Sequence, residues 1–180
     1  MQKHIITYTG LHFTPTEPDP ERFRIEDIAH ALSLLCRGNG QVKQFYSVAE
    51  HCIYCAKEAA RRGAERPVAL ACLLHDAGEC YLSDIPGPFK QNLPEFIRAE
   101  DEMLDLIYRK FIGRSLTEEE EEQVREIDRA CLQFDMTVLL GEPLPDIPLP
   151  EVFPEEYRVR PFEEVEQEYL EIYHSLASFE

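Results

Sequence analysis

One stretch most constrains the fold and chemistry of this chain: Leu73-Leu74-His75-Asp76-Ala77-Gly78-Glu79. An apolar run ends there in a histidine and an aspartate, two residue types that ligate divalent cations. Neighbouring residues on an α-helix point about 100° apart, so His75 and Asp76 can bind one ion only at a helix end or a distorted turn. Glu79 lies four residues after His75 and faces the same way. The stretch therefore predicts a metal site at a helix end, with Glu79 able to reach water beside the ion.

The remaining ligand candidates come from two other helical patterns. His51 lies upstream, and Asp128 lies in the later stretch Arg125-Glu126-Ile127-Asp128-Arg129. Two histidines and two aspartates leave two positions of a six-coordinate ion open, which suits Mn, Fe, Co, Mg or Ni. Asp135, seven residues after Asp128 on a similar face, is the alternative fourth ligand. From the residues alone, a merely packed His51 and an exposed charged turn at Asp128 are equally good interpretations.

The spacing of apolar residues predicts an all-α fold. Cap and stop signals place about six main helices at residues 26–36, 47–62, 67–80, 94–111, 117–140 and 162–176. Ser47 with Glu50, and Thr117 with Glu120, have the spacing of capping boxes. A short strand or strand pair is expected near residues 5–8.

A chain of 180 residues is long enough to bury one core, so we expect a single domain. Its predicted segments are a non-helical lead-in (1–24), a helical core (25–141), a proline-rich surface wrap (142–161) and a C-terminal helix (162–176). The wrap contains Pro143, Pro145, Pro148, Pro150, Pro154 and Pro161. Prolines at this density exclude regular structure.

The net charge of −17 is carried almost entirely by the second half of the chain. Residues 1–90 hold 11 acidic and 10 basic side chains, whereas residues 91–180 hold 24 and 8. The acidic half argues against binding to DNA, RNA or an anionic membrane, while a small phosphate compound stays compatible with the nearly neutral half. The sequence has no secretory h-region and no apolar run of about 20 residues, so we expect a cytoplasmic protein.

Six cysteines without a secretory signal indicate reduced thiols. Cys52 and Cys55 form a CxxC in the middle of a predicted helix, away from the helix N-terminus where thiolates are activated. We therefore interpret these two cysteines as packed side chains rather than as zinc or redox ligands.

Several blocks of sequence carry a resemblance to a known family. They are Tyr8-Thr9-Gly10-Leu11-His12-Phe13, Glu26-Asp27-Ile28-Ala29-His30-Ala31-Leu32-Ser33, Cys36-Arg37, Phe45-Tyr46-Ser47-Val48-Ala49-Glu50-His51, Leu74-His75-Asp76-Ala77-Gly78-Glu79-Cys80-Tyr81 and Asp84-Ile85-Pro86-Gly87-Pro88-Phe89-Lys90. In order, they cover most of residues 8–90, and the stretch around Asp128 continues them weakly. Together they resemble the HD-domain metal-dependent phosphohydrolase superfamily, and more closely its bacterial and phage 5′-nucleotidase-like members. The resemblance implies a helical bundle of the HD type.

The resemblance also implies roles for individual residues. Carried onto this chain, the family's ligands for one divalent ion (Mn, Co, Fe, Ni, Zn or Mg) are His51, His75, Asp76 and Asp128. Glu79 would orient or deprotonate the attacking water. Arg37 would hold the substrate phosphate with its planar fork of donors, and Lys90 would add positive charge nearby. Asp84 would contact the sugar or help to protonate the leaving oxygen. Each of these three residues also has a purely structural interpretation: Arg37 as the end of a helix, Lys90 as a solvated side chain and Asp84 as a turn residue.

The activity implied by the resemblance is release of phosphate from nucleoside or deoxynucleoside 5′-monophosphates, with a small-molecule nucleotide as substrate. Hydrolysis of nucleoside triphosphates or cyclic nucleotides is one alternative, although the sequence lacks the second histidine-rich cluster expected of a two-metal phosphodiesterase. A nucleotide-binding regulatory module with little turnover is another, although such a module does not need Glu79. Homo-oligomerisation stays open, because the sequence does not divide the apolar faces between core and interface.

Overall fold

A computed structural model describes residues 3–144, 146–153 and 157–178 of the chain. Its α-helices are α1 (Ile25–Leu34), α2 (Val48–Arg61), α3 (Arg66–Leu74), α4 (Glu79–Leu82), α5 (Gly87–Lys90), α6 (Pro94–Phe111), α7 (Glu118–Phe134) and α8 (Phe162–Ala177). Two short strands, β1 (Ile5–Ile6) and β2 (His12–Phe13), pair antiparallel with Ile5 opposite Phe13. The predicted all-α fold with a short N-terminal strand pair is confirmed for this part of the chain.

The core lies around α2 and α3. These two helices pack on each other, α7 and α8 both cover them, and α1 packs on α2 and α8. The buried apolar side chains at these contacts include Ile28, Ile53, Leu73, Ile127 and Tyr169. Burying one such side chain stabilises the fold by about 1.5–3 kcal/mol, so the core holds α2 and α3 firmly. These are the helices that carry the candidate histidines.

The helix predicted over residues 67–80 is interrupted at His75-Asp76. α3 ends at Leu74, and the backbone then turns: the amide of Ala77 donates to the carbonyl of Leu74 at 2.8 Å. A second turn bond joins the amide of Glu79 to the carbonyl of Asp76 at 3.0 Å, and α4 begins at Glu79. The turn brings the side chains of His75 and Asp76 together, which a continuous helix would not allow.

The helix predicted over residues 117–140 also changes character along its length. α7 begins at the expected capping box, in which the Thr117 hydroxyl accepts from the amide of Glu120 and the Glu120 carboxylate accepts from the amide of Thr117. Beyond Phe134 the chain continues as a π-helical segment, Asp135–Leu140. It ends at Gly141, whose φ of 79° is left-handed and favours glycine. The wider turns begin at Asp135, a residue of the candidate site.

The proline-rich segment is fastened to the helical core by buried polar groups. The carboxylate of Glu58 on α2 accepts from the amides of Glu151 at 2.9 Å and Val152 at 3.3 Å. The hydroxyl of Tyr157 donates to the carbonyl of Phe45 at 2.7 Å. These bonds hold the segment against α2 and the loop that precedes it, in the extended form that its prolines favour.

Two prolines of the predicted wrap, Pro145 and Pro154, lie outside the described residues. Within the described ranges, no helix combines the length and the apolar character needed to cross a membrane.

Candidate metal centre

Helix α2 delivers His51 to the protein interior. The Ser47 hydroxyl accepts from the amide of Glu50 at 3.1 Å, and the Glu50 carboxylate accepts from the amide of Ser47 at 3.0 Å. This capping box fixes where α2 starts and thereby which side of it faces the core. His51 follows directly and is fully buried. The centre of its ring lies 5.2 Å from that of His75.

The four predicted ligands converge at this point. One oxygen of Asp128, on α7, lies 3.0 Å from Nε2 of His51 and 3.6 Å from Nε2 of His75. An oxygen of Asp76 lies 3.2 Å from the same His75 nitrogen. Side chains from α2, the turn after α3 and α7 thus place two imidazole nitrogens beside two carboxylate oxygens. We call His51, His75, Asp76 and Asp128 the histidine–aspartate cluster.

The outer ring nitrogen of each histidine is held by the protein. Nδ1 of His51 lies 2.9 Å from a carboxylate oxygen of Asp135, and Nδ1 of His75 lies 2.8 Å from the carbonyl oxygen of Cys72. A histidine that donates from Nδ1 presents the lone pair of Nε2, which is the arrangement of metal-binding histidines. Asp135 therefore lies on the opposite edge of the His51 ring from Asp128. The geometry favours Asp128 as the ligand and gives Asp135 an orienting role that sequence reasoning missed.

Two buried polar atoms at the cluster, Nε2 of His75 and Oε2 of Glu79, make no hydrogen bond with any described residue. Buried polar atoms normally have a partner, because leaving one without costs about 1–3 kcal/mol. A cation beside Nε2 would satisfy the nitrogen, and a water molecule there would satisfy the Glu79 oxygen. The residues present therefore fit a divalent metal ion.

The acidic groups of the cluster dominate its electrostatics. Burial and the Arg37 charge lower the pKa of His51, but Asp135 and Asp128 outweigh them and raise that pKa to about 10. Burial raises the pKa of Asp128, but the hydrogen bond from His51 and the positive charges of His75 and His51 hold it well below its ordinary value. The cluster thus attracts positive charge, which a metal ion would supply in place of the histidine protons.

Glu79 is nearly buried beside the cluster, with 7% of its surface exposed. Burial, followed by the negative charges of Asp76 and Asp84, raises the pKa of its carboxyl to about 9. A carboxylate with a raised pKa is a stronger base, and such shifts are concentrated at functional sites. In the metal-free protein Glu79 is therefore protonated at neutral pH, and the charge of a cation bound at the cluster would lower its pKa.

Arg37 lies at the cluster and not on the open surface. Its guanidinium donates to Asp76 at 2.9 Å and to Asp135 at 3.4 Å, and it lies 3.0 Å from Nε2 of His51. The turn that carries it, Arg37–Gly40, places Gly38 and Asn39 in left-handed conformations with φ of 59° and 54°. The predicted phosphate-binding arginine is thus brought within reach of anything bound at the cluster.

Asp84 and Lys90 border the cluster at greater distance. An oxygen of Asp84 accepts from the amide of Gly38 at 3.2 Å, which ties it to the turn that carries Arg37. Lys90 is ion-paired with Glu100 and lines a small cavity of about 80 Å³ together with His75, Asp76 and Glu79. Because Glu100 neutralises its charge, Lys90 contributes less positive potential than the sequence interpretation assigns to it.

Two larger clefts lie near the cluster: its own His75 and Asp128 line the first, and Arg37 and Asp135, which contact it, line the second. The first, of about 570 Å³, is reached past His75 and Asp128 and is lined by acidic side chains, Asp101, Asp105 and Glu121, with Arg125 at its edge. The second, of about 270 Å³, has Arg37, Asp84 and Asp135 at one end and apolar side chains at the other, among them Val42, Leu132, Met136 and Leu139. The second cleft combines a cation with an apolar wall.

Cys52 and Cys55 are buried, as expected for packed side chains, but both also lie at the cluster. Potential ligand atoms of His51, Cys55, His75 and Asp128 all lie within 4.8 Å of one another, as do those of Cys52, His75 and Asp76. The sulfur of Cys55 is 3.5 Å from Nε2 of His51. The sequence signal was the spacing: Cys55 follows His51 by four residues and shares its helical face.

Fold and site together define a small all-α protein with a histidine, cysteine and aspartate cluster compatible with a metal ion. No protein-family model matches the sequence. The chain is 38% identical over 109 residues to YfdR, an uncharacterized protein of Escherichia coli K12, in an alignment that covers 61% of this chain and 58% of YfdR. It is 36% identical over 108 residues to an uncharacterized protein of Rhodobacter capsulatus, covering 57% and 55%. The alignments thus span little more than half of each relative, and neither relative's name states an activity.

Proposed function

We propose that the chain is a metal-dependent phosphohydrolase of the HD-domain superfamily that releases phosphate from nucleoside 5′-monophosphates. The observation that carries this proposal is the convergence of His51, His75, Asp76 and Asp128, with the buried carboxyl of Glu79 beside them. The resemblance over residues 8–90 implies His51, His75 and Asp76 as metal ligands, and the weaker match around Asp128 implies the fourth.

The cluster residues would hold one divalent ion through Nε2 of both histidines and one oxygen of each aspartate. When bound, such an ion supplies Lewis-acid polarisation of a phosphoryl oxygen and makes water more acidic. Asp135 and the Cys72 carbonyl orient the two imidazoles toward it. These contacts fix the tautomer in which Nε2 has a free lone pair.

Glu79 is the residue that moves the proton. Its pKa of about 9 belongs to the metal-free protein; a cation bound at the cluster would lower that pKa, and the ionised carboxylate would then accept a proton from water aligned against the phosphorus. General bases of this kind contribute about 10²- to 10⁴-fold to the rate. Asp84, whose charge raises the pKa of Glu79 and whose carboxylate is tied to the turn that carries Arg37, would contact the sugar or help to protonate the leaving oxygen.

Arg37 would bind the substrate phosphate beside the cluster. Asp76, Asp135 and Nε2 of His51 each take one of its five donor N–H groups, so two stay available for phosphoryl oxygens. The cleft of about 270 Å³ then accepts the nucleoside, with apolar side chains such as Leu139 against the base. The cleft of about 570 Å³ is less suited to a phosphate, because its carboxylates repel one.

Phosphate release from a panel of ribo- and deoxyribonucleotides tests the proposal. Chelator-treated protein is supplied with Mn²⁺, Fe²⁺ or Mg²⁺, and wild type is compared with Asp76→Ala and Glu79→Gln. We expect release from monophosphates by wild type, with a loss of at least about 100-fold in either variant. Release no greater than that of Asp76→Ala with every ion would refute the proposal.

The products separate the remaining alternatives. Triphosphate or pyrophosphate as product indicates nucleoside triphosphate hydrolysis, and ring opening without free phosphate indicates a cyclic nucleotide substrate. Tight nucleotide binding without turnover indicates a regulatory module. The raised pKa of Glu79 favours turnover, since a module that only binds nucleotide does not need a buried base.

A further inference from the structure

The thiol of Cys55 lies in the same cluster as the predicted ligands and has no role in the proposed hydrolysis. It belongs to α2, one helical turn after His51, and is 1% exposed. Its sulfur lies 3.5 Å from Nε2 of His51, on the side of the ring that also faces Asp128. A buried cysteine four residues after a ligand histidine presents its sulfur on the ligand face of the helix.

Three of the six distances among these four atoms are close to those around one tetrahedral ion. With bonds of about 2.3 Å to sulfur and about 2.0 Å to nitrogen or oxygen, tetrahedral zinc separates a sulfur from a nitrogen by about 3.5 Å and a nitrogen from an oxygen by about 3.3 Å. The Cys55 sulfur lies 3.5 Å from the His51 nitrogen, and the Asp128 oxygen lies 3.0 Å and 3.6 Å from the two histidine nitrogens. All four ligand atoms lie within 4.8 Å of one another.

A second observation points independently to a cation at this place. Nε2 of His75 is buried, with 9% of the side chain exposed, and makes no hydrogen bond with the described residues. Its other nitrogen already donates to the Cys72 carbonyl, so Nε2 is the ring atom left to bind a cation, and it faces oxygens of Asp76 at 3.2 Å and of Asp128 at 3.6 Å. Asp76, by contrast, forms an ion pair with Arg37 at 2.9 Å. A tetrahedral ion needs only four ligands, and Cys55, His51, His75 and Asp128 supply them without Asp76.

We infer that the chain has a second metal-binding mode, in which Cys55, His51, His75 and Asp128 bind Zn²⁺ as a closed tetrahedral site. The inference rests on the proposed function insofar as the two histidines must hold a metal in both modes. Thiolate ligands select zinc over harder ions such as Mn²⁺ and Mg²⁺, so the identity of the ion sets the mode. Binding releases the thiol proton to solvent.

The closed mode is inhibitory. Zinc sites that catalyse keep one position for water or substrate, whereas a site with four protein ligands has none. Zn²⁺ held by Cys55 would therefore block the phosphate from the position that a harder ion leaves open. Tight zinc binding and turnover are mutually exclusive in this arrangement.

Cobalt reports this coordination without any assay of activity. Co²⁺ bound by a thiolate gives a sulfur-to-cobalt charge-transfer band in the near ultraviolet, and tetrahedral Co²⁺ absorbs strongly in the visible. We expect both features when the chelator-treated wild-type protein binds one equivalent of Co²⁺, and we expect Zn²⁺ to abolish them. The charge-transfer band should persist in Cys72→Ser, a buried thiol outside the four, and in Asp76→Asn.

Cys55→Ser should lose the charge-transfer band and bind zinc more weakly, by more than the roughly 10- to 100-fold that loss of an outer-shell partner costs. Cobalt bound to wild type without the band would overturn the inference and leave the proposed function standing. A band lost in Cys52→Ser and kept in Cys55→Ser would also overturn it, since Cys52 belongs to the other group of potential ligands. Failure of wild type to bind Co²⁺, Zn²⁺ or Mn²⁺ would refute both proposals.

Discussion

A carboxylate oxygen of Asp135 lies 2.9 Å from Nδ1 of His51, on the ring edge opposite the nitrogen that faces His75 and Asp128. Both residues are almost wholly buried, so water does not compete for this contact. The carboxylate fixes the imidazole tautomer and raises the basicity of Nε2. Asp135→Asn should therefore weaken Mn²⁺ binding by about 10- to 100-fold while the protein stays folded.

Calorimetric titration of chelator-treated protein with Mn²⁺ checks this expectation. Glu126 is an exposed acid on α7, nine residues before Asp135. Glu126→Gln therefore serves as the control and should bind Mn²⁺ like wild type. Equal Mn²⁺ affinity of Asp135→Asn and wild type would show that the contact does not support a ligand.

The raised pKa of Glu79 predicts how the stability of the metal-free protein depends on pH. Its pKa is about 9 in the folded protein and about 4.5 when unfolded, so folding favours the protonated carboxyl. The contribution is fully present below pH 4.5 and is lost as pH rises toward 9, by at most about 1.4 kcal/mol per pH unit. The glutamine of Glu79→Gln does not titrate, so the stability of this variant relative to wild type should increase as pH rises from 4.5 to 9.

Thermal unfolding of both proteins in chelator, between pH 5 and 9, measures the difference. The Tm of Glu79→Gln minus that of wild type should increase with pH, by no more than roughly 5 °C per unit. A difference that is constant across the window would contradict the assignment of a buried, protonated Glu79.

The two clefts predict different consequences for two arginines. Arg37 faces the smaller cleft and the cluster, whereas Arg125 is at the edge of the larger one and pairs with Glu121 and Glu122. Arg37→Gln should lower kcat/KM for a nucleoside monophosphate by about 10- to 100-fold, the value of a charge-assisted hydrogen bond. Arg125→Gln should change it by less than about 3-fold, as for an exposed ion pair. The reverse order in steady-state kinetics would place the substrate in the larger cleft.

Glu58 should hold the proline-rich segment against α2. Its buried carboxylate accepts from two backbone amides of that segment and from the guanidinium of Arg62 at 2.8 Å. Glu58→Ala leaves these donors without a partner and should lower the free energy of unfolding by about 2–4 kcal/mol. Proteolysis should then cut between residues 142 and 161 before any other site. Glu122→Ala, which removes an exposed acid, should unfold like wild type, and a similar loss in both would argue against a specific role of Glu58.

Much of the fold follows from local signals in the sequence. The capping boxes at Ser47 and Thr117 mark where α2 and α7 begin, because a cap depends on residues three apart. The break at His75 was not predicted, since the sequence places a helix over residues 67–80 and indicates only that His75 and Asp76 can share one ion at a helix end or a distorted turn. The π-helical segment from Asp135 was not predicted either, because its wider turns carry no comparable local signature.

The site was less predictable than the fold, because its contacts join distant parts of the chain. His51 and Asp135 are 84 residues apart, and no spacing rule connects them. Sequence reasoning could name Asp128 and Asp135 as rival ligands but could not place them on opposite edges of one ring. Cys55 is a different case: its spacing from His51 was readable, but Cys52 and Cys55 were both interpreted as packed side chains because their CxxC lies in the middle of a helix.

Manganese binding to the chelator-treated protein tests the central claim most directly. Electron paramagnetic resonance of free Mn²⁺ counts the ions bound per chain in wild type, His75→Ala and Asp76→Ala. We predict one ion per wild-type chain and none in either variant at the same concentrations, since each variant removes one ligand of the histidine–aspartate cluster. Binding that is absent from wild type, or equal in all three proteins, would contradict a metal centre at this cluster.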